Sequence, residues 1–527
     1  MNSIERDESN VYSGVSGVEK VEKPKYNILT YTWGRWRIRD AKGCRALPVL
    51  NTPWDIPAIK EEHFSVEEFQ KVVYLLGRDG IDWAWIDVAC IDQEDEEANA
   101  EEVGRQASIF KNAHQVFVWL SHLQKDVLAS VVTNIQESSL GLRDYIDDLP
   151  TPRSIEDLIS SLHKDFKILF ADPWFSSLWT LQEVILRNDA VALPKEAEAI
   201  MWDPGHYLYL TMFINHCQNM FQDLERIEEK IEASTSQYLR LGSERQEMKN
   251  QVYEMKQLIL QAGFYFLFST NPNVQYGIAQ YRTTSRDVDR VYAIMQTYNL
   301  RVGKSIRPKE QPPLAELKDE FAAAINKLCP MMGQMFIHTQ APQPSKSWRI
   351  TEASTIPDDF MIYKEPRPKS EITMTSTMMV ARGLRCPFAE ILSMVRKILK
   401  ENPFGGVDFN LALDTHVVDG LGVQQSRAAS SPSSEGMLGL QVLMRYGRQN
   451  VWVLWLGDVR GVWNSPRGIF SRRQIGLVLI CTDQGGDADR KRLQYQRIGV
   501  CTWTAFDVTT EKAMDELDWN KAELQLY

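Results

Sequence analysis

Ala84-Trp85-Ile86-Asp87-Val88-Ala89-Cys90 is an apolar run broken by a single carboxylate. A strand this apolar is covered on both faces, which is the habit of parallel sheets flanked by helices. Reading outward supports that choice. Upstream, Tyr26-Asn27-Ile28-Leu29-Thr30-Tyr31-Thr32-Trp33 alternates like a strand and stops at Gly34. Between the two, Ser65 to Arg78 has helical spacing: Ser65 can cap it, and Val66, Phe69, Val72, Val73 and Leu76 share one face. Downstream, a very acidic loop from Asp92 to Glu97 leads into a helix over Glu101 to Ala113. That helix carries Val103, Ala107, Ile109 and Phe110 as its apolar positions. A third buried strand, Gln115-Val116-Phe117-Val118-Trp119-Leu120, follows, and Ala190-Val191-Ala192-Leu193 offers a last short one. Strands alternating with helices imply right-handed crossovers and a parallel doubly wound sheet. Ligands of such sheets lie outside the carboxyl ends of the strands. Here those ends carry Trp33-Gly34, Asp87 to Gln93, and Ser121-His122.

Composition bounds the function. At 527 residues the chain is too long for one ordinary domain, and 44% hydrophobic with 24% charged residues describes a globular protein. A net charge of −11 argues against general nucleic-acid binding, which needs concentrated Lys and Arg. No run of about 18 apolar residues suggests a membrane span. The polar start, MNSIERDESN, lacks the apolar core of a signal peptide. Seven scattered cysteines with no CxxC pair fit reduced thiols and a cytoplasmic setting, with no metal site and no cofactor expected.

Organisation changes along the chain. Residues 1–24 read as a disordered lead-in and 25–195 as the α/β domain. Helical segments include Ser154 to Phe170 and a helix continuing from Trp174 to Leu186. Residues 196–302 form a helical region. In it Leu224, Ile227, Ile231, Tyr238, Leu241, Met248, Val252, Met255 and Ile259 keep a three-four spacing, the mark of an amphipathic helix or hairpin. That stripe suits either a partner surface or packing on its own domain. Arg282 to Asn299 reads as a further helix, with Val288, Val291, Tyr292, Ile294 and Met295 inward and Arg286, Asp287, Asp289 and Arg290 outward. Residues 303–380 are Pro-rich and read as an irregular linker, interrupted by a helix over Leu314 to Leu328. Gln424 to Glu435 reads as a mobile Ser-rich loop. Residues 381–527 read as a mixed, β-rich module, with strands at Val451 to Leu456, Ile475 to Cys481 and Arg497 to Trp503.

Chemistry concentrates in Trp174-Phe175-Ser176-Ser177-Leu178-Trp179-Thr180-Leu181-Gln182-Glu183. Glu183 stands where an apolar helix begins to bury itself, ahead of Val184-Ile185-Leu186. Such placement raises a carboxyl pKa and fixes the group against a ligand; it also suits a plain helix-start glutamate. Asp87 can orient a ribose or a water, or cap the following turn. Gln93 and Gln182 are pocket amides or links between loops. Cys90 reads as a small buried residue more readily than a nucleophile, with no His in its block to activate it. His114 and His122 bracket a strand without metal-ligand spacing.

Four blocks together resemble the heterokaryon-incompatibility (HET) domain of filamentous fungi. They are Tyr31-Thr32-Trp33-Gly34, then Trp85-Ile86-Asp87-Val88-Ala89-Cys90-Ile91-Asp92-Gln93, then Trp119-Leu120, then Trp179-Thr180-Leu181-Gln182-Glu183. The stretch Ser285-Arg286-Asp287-Val288-Asp289-Arg290-Val291-Tyr292-Ala293 looks like the Arg-Asp-x-Val-Tyr-Ala element that follows such domains. Two departures stand out: Asp92 where the family usually has Asn, and Ser177 where it often has Arg. HET domains are distantly similar to flavodoxin-like Toll/interleukin-1 receptor (TIR) domains, some of which cleave NAD between nicotinamide and ribose. By that resemblance Glu183 is the catalytic candidate, with NAD as substrate. Trp33 or Trp179 would stack on a base, Gly34 would let backbone amides approach a phosphate, and Asp87, Gln93 and Gln182 would line the site. The resemblance implies a cell-death effector of self/non-self recognition that self-associates through this domain and answers to a regulatory protein partner. The alternative it leaves open is a non-catalytic recognition module that only oligomerises and signals.

Overall fold

Four strands form the parallel sheet that the alternating pattern predicts. They are β1 (Tyr26–Thr30), β2 (Trp83–Ile86), β3 (Gln115–Trp119) and β4 (Val191–Leu193), in the spatial order β2-β1-β3-β4. Ile28 pairs with Trp85 on one side and Val116 on the other, and Phe117 pairs with Val191. This is the flavodoxin-like order, whose topological switch lies between β1 and β3. The computed structural model describes residues 24–32, 34–38, 45–78, 80–233, 242–265, 267, 269, 271–357, 363–374, 378–402, 406–422, 432–460, 472–482 and 494–527. The expected lead-in, apart from residue 24, and much of the Ser-rich loop lie outside these; Pro432–Tyr446 is a helix.

The helices follow from local signals. In α1 (Val66–Leu76) Ser65 and Glu68 form a reciprocal capping box, and Val66, Phe69, Val72 and Leu76 are buried. The run beginning at Ala84 is shorter as a strand than its composition suggests. β2 ends at Ile86, and Asp87–Cys90 turns into one helical turn, α2. β2 is also an edge strand, so Trp83 and Ala84 are only half-buried. Next, α3 (Glu96–Asn112) starts earlier than expected, because the Asp95 side chain accepts from Glu97 N and Ala98 N and caps it inside the acidic run. Helices α4 (Lys125–Ile146) and α5 (Ile155–Phe170) follow β3. The expected helix from Trp174 is broken at Ser177 into a 3-10 turn, Pro173–Ser176, and α6 (Leu178–Leu186).

The amphipathic stripe resolves as α7 (Leu210–Ala233) and α8 (Gly242–Gln261). Leu224, Ile227, Ile231, Val252, Met255 and Ile259 are buried, and the two helices pack on each other and on α4 and α5. The stripe therefore serves its own domain; Tyr238 and Leu241 lie outside the described residues.

The chain divides into two compact units. The first comprises Met1–Leu267 and Tyr281–Pro312, the second Phe268–Gln280 and Pro313–Tyr527. Of the stretch read as a linker, residues up to 312 join the first unit. The rest joins the second, where Phe336, Trp348 and Ile350 are buried. In the second unit Met379–Pro387 pairs with Asn520–Leu526 on one side and with Val451–Arg460 on the other. Those two strands connect through Arg472–Cys481 and Gln494–Ala505, so the pairings return on themselves. Helix Phe388–Glu401 fills this sheet's apolar face through Phe388, Ile391, Leu392 and Val395.

Ile28 is fully buried on the central strand. Ile28→Ala should cost about 2–5 kcal/mol in denaturant unfolding of the first unit.

Candidate functional site

The carboxyl rim of the sheet gathers side chains from three segments. Thr30 ends β1, Asp87 opens α2 just beyond β2, and Glu183 lies on the second turn of α6. Asp172 sets the approach to α6. Its two oxygens accept from Trp174 N at 2.9 Å and from His122 N at 3.0 Å, which ties the 3-10 turn to the loop after β3. The Trp174 side chain is wholly buried, and its indole N–H donates to Thr30 Oγ1 at 2.9 Å. The Thr30 hydroxyl in turn donates to Glu183 Oε2. An indole, a hydroxyl and a carboxyl thus form one chain across the rim.

Glu183 as a residue is half-buried, but its carboxyl is withdrawn from water. Burial pushes its pKa up to about 8; the neighbouring negative charge of Asp87 adds to this, and the Thr30 bond opposes it. Near neutrality the group keeps its proton. Asp87 is the first residue of the α2 turn, and its Oδ1 accepts from the adjacent Val88 N–H at 2.7 Å. Its charge also faces the buried Tyr31 phenol, whose pKa is raised well above the ordinary value, by burial first and then by Asp87. Tyr31 is fixed among Phe64, Phe69 and Trp119, with ring centroids near 6 Å.

A segment well beyond these strands holds α6 in place. Thr283 pairs with the chain at Ser177: Leu178 N donates to Thr283 O at 3.0 Å and Thr283 N to Ser176 O at 2.8 Å. The guanidinium of buried Arg282 donates to the carbonyls of Trp174 (3.2 Å), Ser177 (3.4 Å) and Ala262 (2.5 Å). A cation thus does reach the Ser177 turn, from a distant part of the sequence. Trp179 Nε1 donates to Asp289 Oδ2 at 3.3 Å, and Thr284 Oγ1 meets the same oxygen at 3.1 Å. Asp289 was expected outward and helical. It is buried, and only Asp289–Tyr292 is α-helical there, followed by a 3-10 turn at Met295–Tyr298. The reason is its bond to Trp179, which periodicity within one segment cannot show.

The same segment grips α3. The Gln296 amide donates to Val103 O and accepts from Ala107 N, the two ends of one rung of the helical ladder. A Cβ on Gly104 would strike the Arg301 guanidinium.

Other candidates sit as follows. Gln182 is fully buried, and neither end of its amide has a hydrogen-bond partner among the described residues. Gln93 Nε2 donates to Ile91 O at 3.2 Å, a link within its own loop. Gly34 is exposed in a 3-10 turn, Gly34–Trp36. Trp33 lies outside the described residues. Burial pushes the Cys90 thiol up to about 12, so it stays a thiol. His114 and His122 stand at opposite ends of β3. Sequence reasoning passed over Thr30, Trp174, Arg282 and Gln296; of these, Thr30 had a local signal, being a polar residue at the carboxyl end of a strand.

Residues 26–183 match the family model described as "Heterokaryon incompatibility protein (HET)". They are a HET domain. The match ends on Glu183 itself. A curated relative, "Heterokaryon incompatibility protein 6, OR allele" of Neurospora crassa, is 30% identical over a stretch covering 20% of this chain and 19% of that protein. The chain thus matches about a fifth of that relative's length. No solved structure matches the chain significantly. The segment gripping α3 and α6 lies outside the family match but inside the same compact unit as the HET domain.

The raised Glu183 pKa has a definite sign for stability. The folded state holds this proton up to about pH 8, whereas an unfolded glutamate loses it near its ordinary value of 4.5. The contribution is therefore present at low pH and is lost as pH rises through about 8. Thermal unfolding of Glu183→Gln against the parent should show a Tm advantage for the variant that grows across this range and is absent at pH 4.

Proposed function

We propose that this protein acts in heterokaryon incompatibility, as an effector whose HET domain hydrolyses NAD at the nicotinamide–ribose bond through Glu183. The family match and the named Neurospora relative support the biological role. One observation carries the chemical part: a carboxyl at the rim of a flavodoxin-like sheet, shifted to about 8 and held by Thr30 beside Asp87. Shifted carboxyls of this kind concentrate at catalytic sites.

The reaction fits the group. Nicotinamide leaves as a neutral ring when its bond to ribose C1′ breaks, so no strong acid is required. An ionised Glu183 would stabilise the oxocarbenium charge and hold a ribose hydroxyl while water adds to C1′ and releases its proton. The fully buried Gln182 amide is the best placed of the remaining candidates to read a polar group of the substrate. Asp87 would add negative charge opposite the developing cation. In the described arrangement the Glu183 carboxyl is shielded, so turnover requires that α6 or the β1 rim move and that the group lose its proton. Self-association of the domain, with cell death as the outcome of NAD loss, is the trigger in this reading. A second reading is a signalling module without turnover. It is favoured by the same burial, since a protonated glutamate bonded to a threonine is also a stable structural pair.

Full-length protein incubated with NAD should release nicotinamide, and Glu183→Gln should reduce the rate at least about a hundredfold. Because the ionised form acts, the rate should rise with pH through about 8. Equal background release from both proteins would leave the signalling module.

A further inference from the structure

Beside the Glu183 chain, the same rim of the sheet carries a second cluster. Trp36 follows β1, His63 precedes α1, and His122 follows β3. The Trp36 side chain is buried and its ring stacks on His63 with centroids 4.5 Å apart and planes at 21°; His122 lies against it at 5.2 Å. The His122 backbone is pinned by its N–H to Asp172. Both imidazoles are thus held from outside the pair.

Their nitrogens are arranged in a particular way. His63 Nδ1 and His122 Nε2 face each other at 3.3 Å. The far nitrogen of each ring has a partner: His63 Nε2 lies 3.4 Å from Glu62 Oε1, and His122 Nδ1 lies 3.5 Å from Ser121 Oγ. A neutral imidazole carries one N–H. Glu62, an anion, draws the His63 proton outward, and the Ser121 hydroxyl can accept the His122 proton. Two lone pairs then face each other, and a cation between them relieves their repulsion. Metal–imidazole bonds run about 2.0–2.1 Å, so nitrogens 3.3 Å apart subtend an angle of roughly 105–110° at such an ion, close to tetrahedral. A carboxylate on the far nitrogen, as Glu62 gives His63, is a usual outer support of a histidine ligand.

We propose that His63 and His122 bind a divalent transition-metal ion of the zinc class. Imidazole nitrogen suits zinc, copper and nickel and does not suit magnesium or calcium. No group of three or more His, Cys, Asp and Glu converges on one point among the described residues. The pair therefore supplies two protein ligands, one fewer than a catalytic zinc site has, and water completes the coordination of the bound ion. The pair stands at the β1/β3 switch, where sheets of this order receive ligands. This proposal is independent of NAD hydrolysis.

Full-length protein titrated with Zn2+ and Co2+ provides the test. One saturable site per chain is expected, with the visible absorption of tetrahedral Co2+ and a Tm raised by Zn2+ but not by Mg2+. His63→Ala or His122→Ala should weaken binding at least tenfold, and Glu62→Gln about tenfold. His114→Ala should leave it unchanged. His63 and His122 both reach the surface, so equal Tm values without metal would show that the variants remain folded; if either alanine variant is destabilised, Glu62→Gln alone decides. Binding that survives loss of both histidines, or no saturable binding below millimolar metal, would overturn the site and leave an ordinary N–H···N bond between the rings.

Discussion

A carboxyl group without water must keep its proton or find a donor, and Glu183 does both. Everything around it follows from that constraint. The Thr30 hydroxyl can reach it only because β1 ends there. Thr30 is oriented by the Trp174 indole, and Trp174 is placed by a turn whose cap, Asp172, also holds the loop after β3. The carboxyl is thus tied through three side chains to both strands that flank the switch of the sheet. Loosening any member would change the protonation of the acid as well as its position.

Much of this frame could be read along the chain. Apolar runs at strand length, separated by helices with visible caps, define a parallel sheet because few other arrangements bury such runs on both sides. Ser65 with Glu68 and the cap at Ser154 are local chemistry, and the helices they start stand where the residues place them, whereas α3 begins earlier than its apolar spacing predicts, at the Asp95 cap. The other departures have tertiary causes. The run at Ala84 reads as covered throughout, but the strand is at the sheet's edge and its second half folds into a turn around Asp87. The stripe on α7 and α8 is the pattern of any packed helix, and its partners, α4 and α5, could not be named from spacing.

The candidate site was legible in its acid and illegible in its supports. Glu183 and Asp87 stand in recognisable blocks, and each has a type of residue that is costly to bury idly. Arg282, Asp289 and Gln296 act on α3 and α6 from at least about a hundred residues away. Nothing in their own neighbourhoods marks them, because a guanidinium that serves backbone carbonyls looks the same in sequence as one that faces solvent. The histidine pair was hidden for a related reason: His63 and His122 belong to different loops, and only the closing of the sheet makes them neighbours.

The discontinuity of the first unit bears on how the protein is made. Its sheet is complete by residue 193, yet the residues that brace α3 and α6 arrive only after the chain has passed through 268–280, which belong to the second unit. On the ribosome, the acid-bearing helix would emerge well before its brace and would wait for residue 312 to clear the exit tunnel. A unit built in this order stays unbraced until about three-fifths of the chain has been made.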